Sequence, residues 1–491
     1  MHVASSVAEY ECLQNELSGR SQREIAAEIG VPRSTLQYWL ARKQGVDAEP
    51  ELVAFFESAV GIAFLHRLVV AAHFVMTMVG PSGIRVVCQF LELSGLDQFV
   101  ASSYGSQQAV SVALEQAIVG YGEAEQERLS VHMLAKEITV CEDETFHPET
   151  CLVAIEPVSN YILLETYAPD RKAETWTETL SQSLLDMPVS VVQATSDEGR
   201  GLCHHIEQDL GVHHSPDLFH VHQAASKATS APLAARVRQA ATAVEKAEKG
   251  VGKHQTEQEK YLNQTPRPVG RPPDFAQRIV TAQAEVESSQ AALDTALERQ
   301  TQAKAAVLGI SQSYHPFDLE TGKAQDAETV AQALESHFAA LEDVAAAAQL
   351  PERCLKNIHK AKRLSAKMVA TIAFFFLTIQ TKVEALSLTP TQEQAVHQQL
   401  IPAIYLQLVA NKASCAEDRH ALYERSQALL ASLQTPDSPL FLVPQEERLL
   451  IESVTSECAH LFQRSSSCTE GRNGQLALRH HGLHRISITS L

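Results

Sequence analysis

The segment Glu137-Ile138-Thr139-Val140-Cys141-Glu142-Asp143-Glu144-Thr145-Phe146-His147-Pro148 decides how the chain is read. Apolar, β-branched Ile138 and Val140 alternate with polar residues, the period-two pattern of a half-buried strand, and Asp143 closes the run. Two further short strands are expected over Leu152–Ile155 and Tyr161–Leu164, joined by a turn at Ser159-Asn160. A helix over Arg171 to Leu185 follows. A fourth strand, Val189 to Ala194, then leads to Asp197, and Gly199-Arg200-Gly201 opens a helix that reaches Leu210. The reading is an antiparallel three-strand start, a helix and further strands, with Asp143 and Asp197 at the ends of adjacent strands.

A third acidic residue stands apart. Glu470 lies in Ser465-Ser466-Ser467-Cys468-Thr469-Glu470-Gly471-Arg472-Asn473-Gly474, ahead of the His-rich string His480-His481-Gly482-Leu483-His484. Two strand-end aspartates and a helical glutamate are able to converge on hard divalent cations, which prefer oxygen ligands. Two such ions about 4 Å apart clamp the attacking and leaving oxygens of a phosphodiester. Asp143-Glu144-Thr145-Phe146, Ser196-Asp197-Glu198-Gly199, Ser215-Pro216-Asp217-Leu218-Phe219-His220 and the Glu470 strings resemble those of DDE-type insertion-sequence transposases. The resemblance covers Glu137 to His222 and Arg464 to Arg485. It implies an RNase H-like catalytic core in which Asp143, Asp197 and Glu470 are the catalytic and metal-binding triad. The implied cofactor is a pair of Mg²⁺ (or Mn²⁺) ions.

The chain has 491 residues and is long enough for about three domains. Its N-terminus is polar and lacks the apolar core of a signal peptide. Met368 to Ile379, the most apolar stretch, is about half the length needed to span a bilayer and reads as a buried core helix. Nine scattered cysteines without a CxxC pair fit a reducing cytoplasm rather than a disulfide framework. The absence of a GxSxG elbow argues against a Ser/His/Asp hydrolase, and the absence of a P-loop lysine motif argues against ATP hydrolysis. The net charge of −19 argues against a protein that coats DNA indiscriminately, yet the basic residues are clustered. Residues 20–43 carry a net +3, as do residues 464–485.

Residues 1–48 are expected to hold a helix-turn-helix. Ser21 and Glu24 have capping-box spacing, Gly30 makes the turn and Pro32 precedes the second helix. Leu36 and Leu40 point inward. Arg33, Ser34, Thr35, Gln37, Tyr38, Arg42 and Lys43 supply side chains suited to phosphates and base edges. Residues 51–131 read as helical, with helices over Ser82 to Leu93 and Gln107 to Ile118 started by Ser106. This is a possible second helix-turn-helix with little positive charge, equally compatible with structural packing.

The core expected over 137–222 is interrupted by a helical insertion over 223–463, because the stretch from Asp197 to Glu470 is far too long for a loop. Val237, Val244 and Val251 repeat every seven residues, as do Ile279, Val286 and Leu293, and a Pro-rich tip from Pro266 to Pro273 lies between them. This predicts an antiparallel coiled-coil hairpin over 234–306, serving as a lever, a dimer contact or a DNA arm. Arg353, Lys356, Lys360, Arg363 and Lys367 share one helical face and are expected to bind phosphate. His204, His205, His213, His214, His220 and His222 crowd together with Cys203 in a spacing that matches no zinc pattern, so they read as structural or phosphate-contacting. Arg472 and Asn473 are candidates for the scissile phosphate.

The fold expected is therefore mainly α, with an α/β RNase H-like catalytic core, an N-terminal helix-turn-helix and an all-α insertion. The function expected is that of a DNA transposase, cleaving and transferring strands at insertion-sequence ends. Its partner is double-stranded DNA at transposon ends and target, and the protein is expected to be a homo-oligomer. It would be cytoplasmic, nucleoid-associated and without a membrane segment. The transposase-like proteins extend beyond the His-rich string as a further helix, whereas residues 464–491 end at Leu491. The alternative is thus a truncated, catalytically inactive remnant that occupies transposon ends. A cellular RNase H-like nuclease is a third reading, disfavoured by the N-terminal module.

Overall fold

The computed structural model describes residues 3–16, 19–80, 82–146, 149–266 and 268–483. His147, Pro148 and the stretch from His484 to Leu491 therefore lie outside the described residues. The chain is mainly helical around one small mixed sheet.

The N-terminal helices are α1 (Val3–Glu16), α2 (Gln22–Glu28) and α3 (Arg33–Gln44). Ser21 caps α2 in a reciprocal capping box: its backbone N–H donates to Glu24 Oε2 at 2.7 Å, and its hydroxyl accepts from the Glu24 N–H. Gly30 turns the chain at φ +69°, where a side chain would be strained. Ile25, Ala26, Leu36 and Trp39 are buried together with Tyr10 of α1. The expected inward Leu40 is only half-buried, and Trp39 fills the core in its stead.

The second helical group comprises α4 (Pro50–Glu57), α5 (Ala59–His73, continuing through a wider turn to Val79), α6 (Ile84–Leu93) and α7 (Tyr104–Ser130). Phe56, Leu65, Val69, Val87, Leu91 and Phe99 form its core. The helix expected to end at Ile118 instead runs 27 residues, through Gly120 and Gly122. Each glycine costs a helix only about 1 kcal/mol relative to alanine, too little to end it. The cap is Ser103 and not Ser106, because the Ser103 hydroxyl accepts from the Ser106 N–H.

The sheet contains β1 (Lys136–Phe146), β2 (Thr150–Glu156), β3 (Tyr161–Ala168), β4 (Val189–Ser196) and β5 (His213–Pro216), in the order β3-β2-β1-β4-β5. β1, β2 and β3 are antiparallel neighbours, whereas β4 and β5 run parallel to β1. Between the strands lie α8 (Ala173–Leu184) and α9 (Arg200–His204). The helix expected from Gly199 to Leu210 is α9 continued by a wider turn, His205–Asp209. Alternation on β1 and β2 sorts side chains to two faces. Ile138, Val140, Leu152 and Ala154 meet Trp176 and Leu180 of α8 and Leu202 of α9. Cys151, Val153 and Ile155 face the other way, onto Leu476 of the last helix. Such double coverage explains why β2 is apolar on both faces.

The remaining helices are α10 (Leu218–Asn263), α11 (Phe275–Ser313), α12 (Ala327–Ala347), α13 (Glu352–Arg363), α14 (Ser365–Glu384), α15 (Pro390–Ala395), α16 (Ile401–Lys412), α17 (Ala416–Leu433), α18 (Gln445–His460) and α19 (Ser467–Leu483). Helices α10 and α11 pair along their length. Val244 and Ala247 are buried in the seam, while Val237, Val251, Ile279, Val286 and Leu293 are half-buried. The boundary expected between 222 and 223 falls inside α10, since Leu218, Val221 and Ala225 already belong to the helical core. Met368, Ile372, Phe375 and Ile379 of α14 are buried in that core. Two helical runs, Ala59–Val79 and Glu352–Glu384, are long and apolar enough to cross a membrane by length and composition.

Candidate functional site

The insertion leaves the sheet at β5 and returns to it at the start of α19, and one knot of hydrogen bonds joins the two points. Asp217, buried at the N-cap of α10, accepts from the Phe219 N–H at 2.7 Å through Oδ1 and from the Ser466 hydroxyl through Oδ2. The Leu218 N–H donates to the Arg464 carbonyl at 2.9 Å. The Arg464 guanidinium is buried and donates to Ser311 of α11. On the far side, Arg472 of α19 forms a bidentate pair with Glu165 of β3, its Nη2 lying 2.7 Å from Oε1. Arg472 therefore fastens α19 across the sheet and is already engaged by protein, which is not the place expected for a phosphate ligand.

These ties bring Glu470 near Asp143, and Asp197 is close enough to act electrostatically on Asp143. Asp143 projects from β1 on the α19 face; its Oδ1 accepts from the Glu144 N–H and its Oδ2 from Asn473 Nδ2, each at 2.8 Å. Asn473 thus contacts the Asp143 carboxylate directly. Asp197 follows β4, and its Oδ1 accepts from the Gly199 N–H at 2.8 Å. A Cβ at residue 199 would stand 2.9 Å from that oxygen, so a larger residue there would make the Asp197 carboxylate shift. Glu470 sits in the first turn of α19, its Oε1 3.8 Å from His220 Nε2. Ligand atoms of Asp217, His220 and Glu470 all lie within 4.8 Å of one another.

Electrostatics report the same convergence. Burial pushes the Asp143 carboxyl up to about 7; the Glu144 N–H opposes the rise, while the charges of Asp197 and Glu470 add to it. Burial also raises the Glu470 carboxyl, with His220 pulling it down and Asp217 pushing it up. Like charges crowded in a half-buried cleft repel, and a cation among them relieves the repulsion. The all-oxygen set of Asp143, Asp197 and Glu470 suits a hard divalent ion, with Asp217 and His220 beside it.

Residues 396–491 match a family of unknown function, DUF6399. No curated protein and no solved structure matches the chain. The matched residues include α19, and with it Glu470, Arg472 and Asn473.

Nearby carboxylates are committed elsewhere. Glu144 pairs with Arg171 at 2.7 Å, Glu198 with Lys367 at 3.2 Å, and Glu142 is buried on the opposite face with His205 Nε2 3.6 Å away. Asp217 and His220 belong to the strings quoted above, but sequence reasoning does not place them at the site. Their sequence signal is an Asp N-cap followed one turn later by His at a helix start.

The basic residues are dispersed. On α3, Arg33, Ser34, Gln37 and Tyr38 are exposed and Thr35 is half-buried, with Gln37 hydrogen-bonded to Gln22 at 3.0 Å. The side chains of Arg42 and Lys43 lie outside the described residues. Arg353, Lys356, Lys360 and Arg363 lie on α13, where Lys356 is exposed and pairs with Glu352 at 3.0 Å. Lys367 does not continue that stripe into solvent. The helix breaks at Leu364, and the Lys367 ammonium turns inward to Glu198 and Glu207.

Proposed function

We propose that the protein is a DNA-processing phosphoryl transferase of the transposase kind. Asp143, Asp197 and Glu470 hold two Mg²⁺ or Mn²⁺ ions on an RNase H-like core. The observation that carries this reading is the approach of Glu470 to Asp143, whose carboxylate accepts from Asn473 of the same helix as Glu470, across an insertion that occupies half the chain. Partial burial of the Asp143 and Glu470 carboxyls costs stability, and a fold retains such an arrangement where cation binding offsets the cost. The strand order, three antiparallel strands followed by two parallel ones, agrees with the RNase H-like reading.

When bound, the cations supply Lewis-acid stabilisation of the attacking and leaving oxygens of a phosphodiester. The protein's own groups have definable tasks. Asn473 orients the Asp143 carboxylate and His220 stands against Glu470. Arg472 and Asp217 fix the two ends of α19 and α10 that carry them. The exposed face of α3 contacts double-stranded DNA as the second helix of a helix-turn-helix. The α13 stripe lies along the DNA path, since the chain just beyond it touches Glu198, the neighbour of Asp197. The protein acts as a homo-oligomer, the coiled coil serves as a lever, a dimer contact or a DNA arm, and the setting is the cytoplasm.

Incubating the purified chain with labelled DNA from both flanks of its gene tests this reading. Mg²⁺-dependent strand breaks at defined flanking positions, abolished by chelation, are expected. Specific DNA binding without cleavage at any Mg²⁺ or Mn²⁺ concentration would favour the inactive, end-occupying alternative.

A further inference from the structure

A second cluster lies on the other side of β4 from Asp143. Glu198 follows β4, Cys203 is on α9, Glu207 lies four residues on in the wider turn, and His214 is on β5. Ligand atoms of Glu198, Cys203 and His214 all lie within 4.8 Å of one another, and Glu207 Oε1 is 3.5 Å from His214 Nδ1. His214 is buried, and its Nε2 is fixed by the Ser196 hydroxyl at 3.0 Å, which aims Nδ1 into the cluster. This is the supporting contact that metal-bound histidines receive.

A cation already occupies the middle. The Lys367 ammonium stands 3.2 Å from Glu198 Oε2, 3.0 Å from Glu207 Oε1, 3.3 Å from His214 Nδ1 and 4.0 Å from Cys203 Sγ. It leaves the local polar groups under-satisfied. Glu198 Oε1 is buried without a hydrogen bond, and so are both oxygens of Glu142, a fully buried side chain whose charge acts on His214. Two carboxyl groups, Glu198 and Glu207, thus share one ammonium, and Glu198 Oε1 keeps no partner, although buried carboxylates normally have full partners. The Lys367 side chain is one-third exposed, so the ammonium is able to withdraw to solvent without repacking α14.

We propose that Glu198, Cys203, Glu207 and His214 form a site for a divalent transition-metal ion, with zinc the best fit, at the position held by the Lys367 ammonium. One sulfur, one imidazole nitrogen and carboxylate oxygens suit the tetrahedral preference of zinc and not the octahedral oxygen shell of magnesium. The site is separate from the Asp143 cluster and stands on residues that the phosphoryl-transfer reading does not use. Binding converts the Cys203 thiol to a metal-bound thiolate and releases its proton to solvent, while Lys367 keeps its charge and swings outward. The ion would tie β4, α9 and β5 together beside Asp197, which makes it a structural brace for that strand end.

Titration of the full chain with Co²⁺ under a phosphine reductant tests the proposal, because tetrahedral Co²⁺ bound to thiolate gives a near-ultraviolet charge-transfer band. One equivalent should saturate the band, and Zn²⁺ should abolish it by displacement. C203S should remove the band, and H214Q should weaken binding. S196A should lower affinity about tenfold or more, as loss of an outer-shell partner does. K367M should shift half-saturation to lower Co²⁺, because the competing ammonium is gone. D143N should leave the band unchanged, which separates this site from the catalytic reading. A band that survives C203S, or no band in either the wild type or K367M, overturns the proposal.

Discussion

Replacing Asp143 with asparagine removes the charge that the cleft tolerates least. The folded carboxyl titrates at about 7, against an ordinary value of 3.8. A carboxyl raised in this way stabilises the fold fully below the unfolded value, and that contribution is lost as pH rises through 7. At 1.36 kcal/mol per unit the loss amounts to roughly 2–4 kcal/mol by pH 8 without divalent cations. The D143N variant escapes it. The oxygen of its new amide is placed to accept from the Glu144 N–H. The amide nitrogen is placed to meet Asn473 Oδ1, which is buried and unpartnered in the wild type, once Asn473 flips. Urea unfolding followed by Trp176 fluorescence in a W39F background reports on the sheet, because Trp176 is fully buried against it and Trp39 is the other tryptophan. In EDTA, D143N should match the wild type near pH 4 and exceed it by roughly 2–4 kcal/mol at pH 8. With Mg²⁺ at a hundred times its dissociation constant, the wild type should recover about 2.7 kcal/mol and D143N much less. Equal stability of the two proteins at pH 8 in EDTA would refute the reasoning.

Two further outcomes follow from the same structure. Breaking the clamp with R472M leaves Glu165 buried and unpaired, at a cost of about 3–5 kcal/mol in urea unfolding; a cost below about 1 kcal/mol would show that the Arg472–Glu165 pair does not hold α19 in place. Charge reversal at Arg33 should weaken binding to flanking DNA more at low salt than at high salt and flatten the salt slope by about one unit, and an unchanged slope would remove α3 from the interface.

The parts of the fold legible in the sequence are those written in neighbouring residues. The capping box at Ser21 and Glu24, the strand alternation around Ile138 and Val140, and the turn at Ser159-Asn160 with Asn160 at φ +59° are all local signals. The heptad valines of α10 belong with them. β5 is not legible as a strand, because His213-His214-Ser215-Pro216 is short and polar and owes its place to pairing with β4. The partners of Arg472 and Lys367 are equally hidden: Glu165 and Glu198 are distant in the chain, and exposed basic residues look alike until a fold pairs some of them. Asp143, Asp197 and Glu470 stand out in the sequence as acidic residues in distinctive contexts, whereas the closeness of Asp217, His220 and Glu470 arises only when the ends of the insertion meet.

The central claim is that Asp143, Asp197 and Glu470 act as one cation-binding unit on DNA. Mg²⁺-dependent cleavage of the flanking DNA by D143N, D197N and E470Q, measured beside DNA binding by the same proteins, tests it most directly. The account predicts that each substitution abolishes cleavage and leaves binding near the wild-type level, while E144Q, whose carboxyl is engaged by Arg171, still cleaves. Cleavage that persists in any of the three, or that is lost in E144Q alone, would contradict it.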